Sequence, residues 1–194
     1  LKQITNNLII NYKDEISLIN TLKGKQKFIE KSKLYTIEKI YWLIEDCKKY
    51  GTDPFASLAR CAFISIEILN SFVSQKIITK EEKYKFLGSI ESVTSSIIID
   101  FKKLNKKKFL KKYGHLRPNT YDITSLNYRE GYSKYFSYSS KEQIKNKKFD
   151  FNKKQKKLIG KFLKKCEIKL SFNQFIDFIK KSIEQREYAK FIFT

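Results

Sequence analysis

The chain has 194 residues, 41% of them hydrophobic, and a formal net charge of +21. That apolar fraction supports a core and excludes wholesale disorder, and the length allows one domain or a domain with a small appendage. The charge admits a nucleic-acid or anionic-surface binder. However, the excess lies in Lys beside abundant Ile and Asn, as in AT-rich coding, so runs such as Lys106-Lys107-Lys108 and Lys153-Lys154 read as solvated faces and nucleic acid is disfavoured.

No uninterrupted apolar run approaches the ~20 residues that span a bilayer, and Leu1-Lys2-Gln3 opens no signal-peptide segment. A cytoplasmic chain with no membrane partner is expected. Methionine is absent, the initiator included, and residues 188–194 stop within a helical pattern, so the chain reads as a segment of a longer polypeptide. Cys47, Cys61 and Cys166 are odd in number and widely spaced, and there is a single histidine. Neither a zinc site nor a disulfide framework is expected from them, only reduced thiols.

With two prolines and six glycines, the chain shows helical spacing almost throughout. Residues 7–22 and 35–50 read as helices, the second with Ile37, Ile40, Tyr41 and Ile44 on one face. Asp53 then reads as an N-cap and Pro54 as a first-turn residue. They open a helix whose core face holds Phe55, Leu58, Ala59, Ala62, Phe63, Ile66, Leu69 and Val73. Thr79 and Glu82 form a capping box, followed by one long stripe: Phe86, Ile90, Val93, Ile97, Phe101 and Leu104. Residues 113–136 break the pattern with Pro, Gly and several aromatics, and read as a long structured loop. A polar, Lys-rich stretch over residues 137–157 reads as a connector and the start of another helix, and Ser171 with Gln174 caps a last helix that runs to the end. The expected fold is all-α, a single multi-helix domain over residues 1–194.

Three places stand out chemically. His115 lies in Tyr113-Gly114-His115-Leu116-Arg117-Pro118, with Asp122 close by. Loops on a rigid scaffold concentrate binding residues, and Arg117 can clamp a carboxylate or phosphate, although a lone His also serves as a structural hydrogen-bonding group. On the last helix, the period of Phe172, Phe175, Ile176, Ile179 and Ile183 continues onto Arg186, Glu187 and Lys190. Unpaired charge there is costly to bury, so these residues either pair, face a pocket, or mark a fraying stripe. Arg60 and Glu67, two turns apart beside Phe63, suit either a pocket rim or a boundary salt link. The sequence has no Gly-rich phosphate loop and no nucleophile elbow.

Residues 51–60 (Gly-Thr-Asp-Pro-Phe-Ala-Ser-Leu-Ala-Arg), residues 113–123 (Tyr-Gly-His-Leu-Arg-Pro-Asn-Thr-Tyr-Asp-Ile) and residues 186–191 (Arg-Glu-Tyr-Ala-Lys-Phe) resemble the central region of phosphoenolpyruvate-synthase and pyruvate-phosphate-dikinase-like phosphotransferases. Within that family the resemblance leans to the L-glutamine kinases of Campylobacter capsule phosphoramidate biosynthesis, with rifampicin phosphotransferase as a relative. It covers roughly residues 47–194, and Asn119 stands where the family pattern has Gly; Asn is next best to Gly in the left-handed region.

The resemblance implies a helical acceptor-binding domain between an ATP-grasp domain, which would hold ATP and Mg, and a swivelling phosphohistidine domain, both on the same polypeptide. The β-phosphoryl of ATP would pass through that histidine to a small acceptor, leaving AMP and phosphate. L-glutamine is the favoured acceptor; pyruvate and an antibiotic are the alternatives. By residue, it implies substrate binding at Arg60, Arg117, Thr120, Tyr121, Asp122, Arg186 and Glu187 and a catalytic role for His115, with no cofactor or metal held by this chain. The segment alone is expected to be inactive.

Overall fold

The structure is a computed structural model. It describes residues 2–118, 122, 124–136 and 149–193, and of residues 2–13 and 193 the backbone only. The fold is all-α, and the described residues contain no strand. In chain order the helices are α1 (Lys2–Lys31), α2 (Thr36–Cys47), α3 (Asp53–Ser74), α4 (Lys80–Gly88), α5 (Val93–Lys103), α6 (Lys106–Tyr113), α7 (Tyr132–Tyr135), α8 (Lys153–Lys165) and α9 (Phe172–Phe193).

The central body is α3 packed along α9, with α1 against both. α3 turns Ser57, Leu58, Cys61, Ala62, Ser65, Leu69 and Phe72 inward, and the small members of that set let α9 approach closely. At the crossing Ser65 Oγ and Ser182 Oγ lie 2.6 Å apart, fully buried. Ser182 gives its proton to the Ile179 carbonyl at 3.0 Å, so Ser65 is the donor between the two and both hydroxyls are satisfied. Around them Phe72, Phe86, Phe151, Ile159, Phe175 and Ile179 complete the main core. α4 and α8 are tied to each other through their caps: Glu82, which closes the Thr79 capping box, accepts from Gln155 Nε2 at 3.0 Å.

A second, smaller core lies beyond α5. Ile97, Phe109, Tyr113 and Leu116 are its buried members, with Phe101, Tyr128, Tyr132 and Phe136 against them. Tyr128 N–H donates to the Leu116 carbonyl at 2.8 Å, and Arg129 N–H to the Gly114 carbonyl at 3.2 Å. These bonds fold the loop back on the end of α6. Gly114 is required there, because a Cβ would stand 2.4 Å from the Leu110 carbonyl oxygen. From α9, Phe191 packs against this cluster.

Several expectations need correction. Asp53 caps nothing: α2 runs into α3 through a π-helical turn, Lys48–Thr52, and the residues on either side of the junction stay helical. Pro54 accounts for the turn, because its ring clashes with the carbonyl four residues back in a regular helix, and the wider π-turn relieves that clash. The long stripe from Phe86 to Leu104 is two helices, interrupted where Ser92 caps α5 with Ser95. The apolar face of α2 is not a core face, since α2 has no buried residue and Ile37, Ile40, Tyr41 and Ile44 are all exposed. Phe63, placed by its period in the core, is 61% exposed.

The continuous helix Thr36–Ser74 is long and apolar enough, by length and composition, to cross a membrane. Its α3 part is the helix that buries Leu58, Cys61, Ala62 and Leu69 in the main core, as the core helix of a globular fold does.

Candidate functional site

Where the two cores meet, α5, the His-Arg-Pro loop and the end of α9 enclose a cavity of about 340 Å³. Its walls include Thr94 and Ile97 from α5, Leu116, Arg117 and Pro118 from the loop, Tyr128, and Arg186, Glu187, Lys190 and Phe191 from α9. Two of the three sequence segments singled out above therefore share one cavity.

The cavity is cationic: Arg117, Arg186 and Lys190 face one carboxylate, Glu187. Glu187 is already engaged, because its Oε2 accepts the Thr94 backbone N–H at 3.1 Å. That amide belongs to the first turn of α5, where no intrahelical partner exists and negative charge is favoured. Arg117 is held by donating from its guanidinium to the Ser125 carbonyl, which fixes the loop against the cavity. Burial, then the neighbouring Arg186 charge, pushes the Lys190 ammonium below its ordinary range, with Glu187 pulling the other way. An anion entering the cavity would favour the charged ammonium and so oppose this shift, as Glu187 does.

The buried stripe of α9 runs Phe175, Ile179, Ser182 and Ala189, and Arg186 sits in that stripe between the last two. Its guanidinium lies over the Phe63 ring, 5.5 Å from the centroid. Its Nε is buried with no hydrogen-bond partner among the described residues, and such donors are rare in folded proteins.

The other expected site residues lie elsewhere. His115 is exposed and does not line the cavity; its Nε2 is 3.2 Å from the Phe191 carbonyl oxygen and its ring packs on the Phe191 ring at 5.3 Å. Arg60 is on an exposed position of α3 and lines no cavity described here. Glu67 accepts from Asn70 at 3.0 Å instead of facing Arg60. Asp122 serves its own turn, accepting from the Thr124 hydroxyl and amide at 2.6 and 2.9 Å. Those bonds hold its carboxyl below the usual range, and Arg117 contributes least among the causes. Thr120 and Tyr121 lie outside the described residues.

Thr94 and Tyr128 were not anticipated, and nothing in their local sequence marks them. Lys190 was visible as a misplaced charge but not selected. Another hollow, of about 420 Å³, is lined by Asn20, Glu91, Ser96, Glu184 and Tyr188 and has the opposite sign. Burial and the Glu91 charge push the Glu184 carboxyl up. None of the three motif segments forms that hollow's anionic wall, so the cationic cavity is the better candidate. Among the described residues no group of three His, Cys, Asp or Glu side chains is placed to hold a metal. Burial pushes the Cys61 thiol up to about 11, which keeps it protonated and unreactive at neutral pH.

No protein-family model, no curated protein and no solved structure matches this chain.

Proposed function

We propose that this chain is the acceptor-binding helical piece of a dikinase-type ATP-dependent phosphotransferase, and that the cationic cavity holds the acceptor. ATP and Mg would be bound by a separate ATP-grasp domain, and a phosphohistidine on a swivelling domain would carry the β-phosphoryl group. The observation behind this reading is that Arg117 and Pro118, from the loop motif, and Arg186, Glu187 and Lys190, from the last helix, line one cavity about 70 residues apart in sequence. Its size falls within the ~300–1,000 Å³ of small-molecule sites.

Within this reading Arg117 and Lys190 bind the acceptor's negative group, and Glu187 fixes the α5 end of the wall. His115 becomes a positioning residue acting through Phe191 rather than a catalytic one. The acceptor is a small anion or zwitterion, with L-glutamine and pyruvate both of that kind. The test is calorimetric titration of the chain with pyruvate, L-glutamine and the uncharged lactamide at fixed ionic strength. The charged compounds should bind and lactamide should not, and Arg117→Ala should weaken binding roughly ten- to a hundredfold, the effect of one charge-assisted contact. Equal, weak responses to all three in both proteins would end the proposal. The chain alone should form no AMP from ATP.

A further inference from the structure

Arg186 and Glu187 belong to two cavities. On their other side lies a second hollow of about 310 Å³ between α3, the α4–α5 junction and α9. Ala62, Phe63, Ile66, Leu87, Ile90 and Ile183 give it apolar walls. Arg186 thus separates a cationic compartment from an apolar one.

Two features mark this hollow as suited to a ligand. Phe63 belongs to an otherwise well-packed helix, yet it is 61% exposed, with the Arg186 guanidinium over its ring. Arg186 Nε is sealed from solvent and has no acceptor among the described residues. A buried charged donor is costly to leave unpaired, and large exposed aromatic surface at the edge of a cavity is a binding feature. One ligand answers both needs: an acceptor atom at Nε and an apolar group on Phe63.

We propose that the two hollows are one bipartite site for an amphipathic anion, a carboxylate or phosphate whose flat hydrophobic body lies on Phe63. The inference rests on the acceptor-site reading and narrows its substrate class. The anionic head lies among Arg117, Lys190 and Arg186, giving Nε its acceptor oxygen, and the body fills the apolar half. A wholly polar acceptor such as L-glutamine leaves that half empty and binds more weakly than an amphipathic one.

The experiment compares acetate, butyrate, hexanoate and 3-phenylpropionate, with 3-phenylpropanamide as the uncharged control, by calorimetry on the chain and on Phe63→Ala and Arg117→Ala. Phe63 is exposed, so its loss should leave the helical circular dichroism unchanged. Affinity should rise up to about fourfold for each added methylene that becomes buried, and 3-phenylpropionate should bind best. Phe63→Ala should lower 3-phenylpropionate affinity about tenfold or more while leaving acetate unchanged; Arg117→Ala should weaken every carboxylate. If acetate and 3-phenylpropionate bind alike, or if Phe63→Ala affects neither, the bipartite site is wrong while the acceptor reading stands. If no carboxylate binds at all, both fall.

Discussion

The Glu187 carboxylate accepts the Thr94 backbone N–H at 3.1 Å and so fastens the last helix to the first turn of α5. The contact joins the two cores across the candidate site, and it works as an N-terminal cap supplied from another helix. Glu187→Ala should therefore cost about 1 kcal/mol, as loss of a cap does. Glu187→Gln, which keeps an acceptor oxygen, should cost less. Urea denaturation of both variants checks this; equal losses would show that the hydrogen bond is not the relevant interaction.

Arg186 lies along the buried stripe of α9 with a buried Nε that has no partner among the described residues, so stability and binding should trade against each other here. Arg186→Met keeps an unbranched side chain and removes the orphan donor. The variant should be at least as stable as the parent, by up to about 1–3 kcal/mol, and should lose its thermal response to carboxylates. A clear fall in melting temperature would mean that the guanidinium is satisfied in solution.

Asp100 accepts from Lys112 Nζ at 2.7 Å and from the Tyr113 hydroxyl at 2.8 Å. The Lys112 bond, followed by the Tyr113 bond, holds its carboxyl below the usual range. A depressed carboxylate pKa in the folded state favours folding above the unfolded value, and that contribution is lost as pH falls through the folded one. Stability should therefore drop on acidification through and below the normal Asp range. Asp100→Asn should show a shallower loss over that window in pH-dependent melting, and an unchanged profile would remove Asp100 from the acid response.

Leu58 is buried in the main core and Ile40 is half exposed on α2. Leu58→Ala should cost about 2–5 kcal/mol, and Ile40→Ser should stay within about 0.5 kcal/mol. Equilibrium unfolding compares them directly. A large loss at Ile40 would mean that the α2 face is covered in solution.

The contrast between Leu58 and Ile40 also shows what the sequence could reveal. Helix existence was legible, since apolar periodicity and the Thr79/Glu82 and Ser171/Gln174 boxes act locally. The fate of each apolar face was less so. Ile37 and Ile40 follow the same period as any core face, but what covers them depends on which helices arrive, and α1 meets the other side of α2, where Lys25 pairs with Asp46 at 3.2 Å. Pro54 was assigned to a helix start by its commonest use, whereas here a π-turn absorbs it within a continuous helix. At the site, Arg186, Glu187 and Lys190 were visible because charge broke an apolar period. Arg60 stands out by its spacing from Glu67 beside Phe63, a flank position that suits a rim or a salt link equally, and in the fold it is exposed. Thr94 contributes through its backbone amide, which no side-chain pattern records.

The central claim is that the cavity between the two cores binds an anion. Its most direct test is a heteronuclear NMR titration of the isotope-labelled chain with 3-phenylpropionate and with pyruvate at constant ionic strength. Saturable shifts are expected at the amides of Thr94, Leu116, Arg117, Arg186, Lys190 and Phe191, extended to Phe63 and Ile66 for 3-phenylpropionate only. Shifts spread over surface lysines such as Lys106 to Lys108, without saturation and with none at Arg117 or Lys190, would contradict the claim.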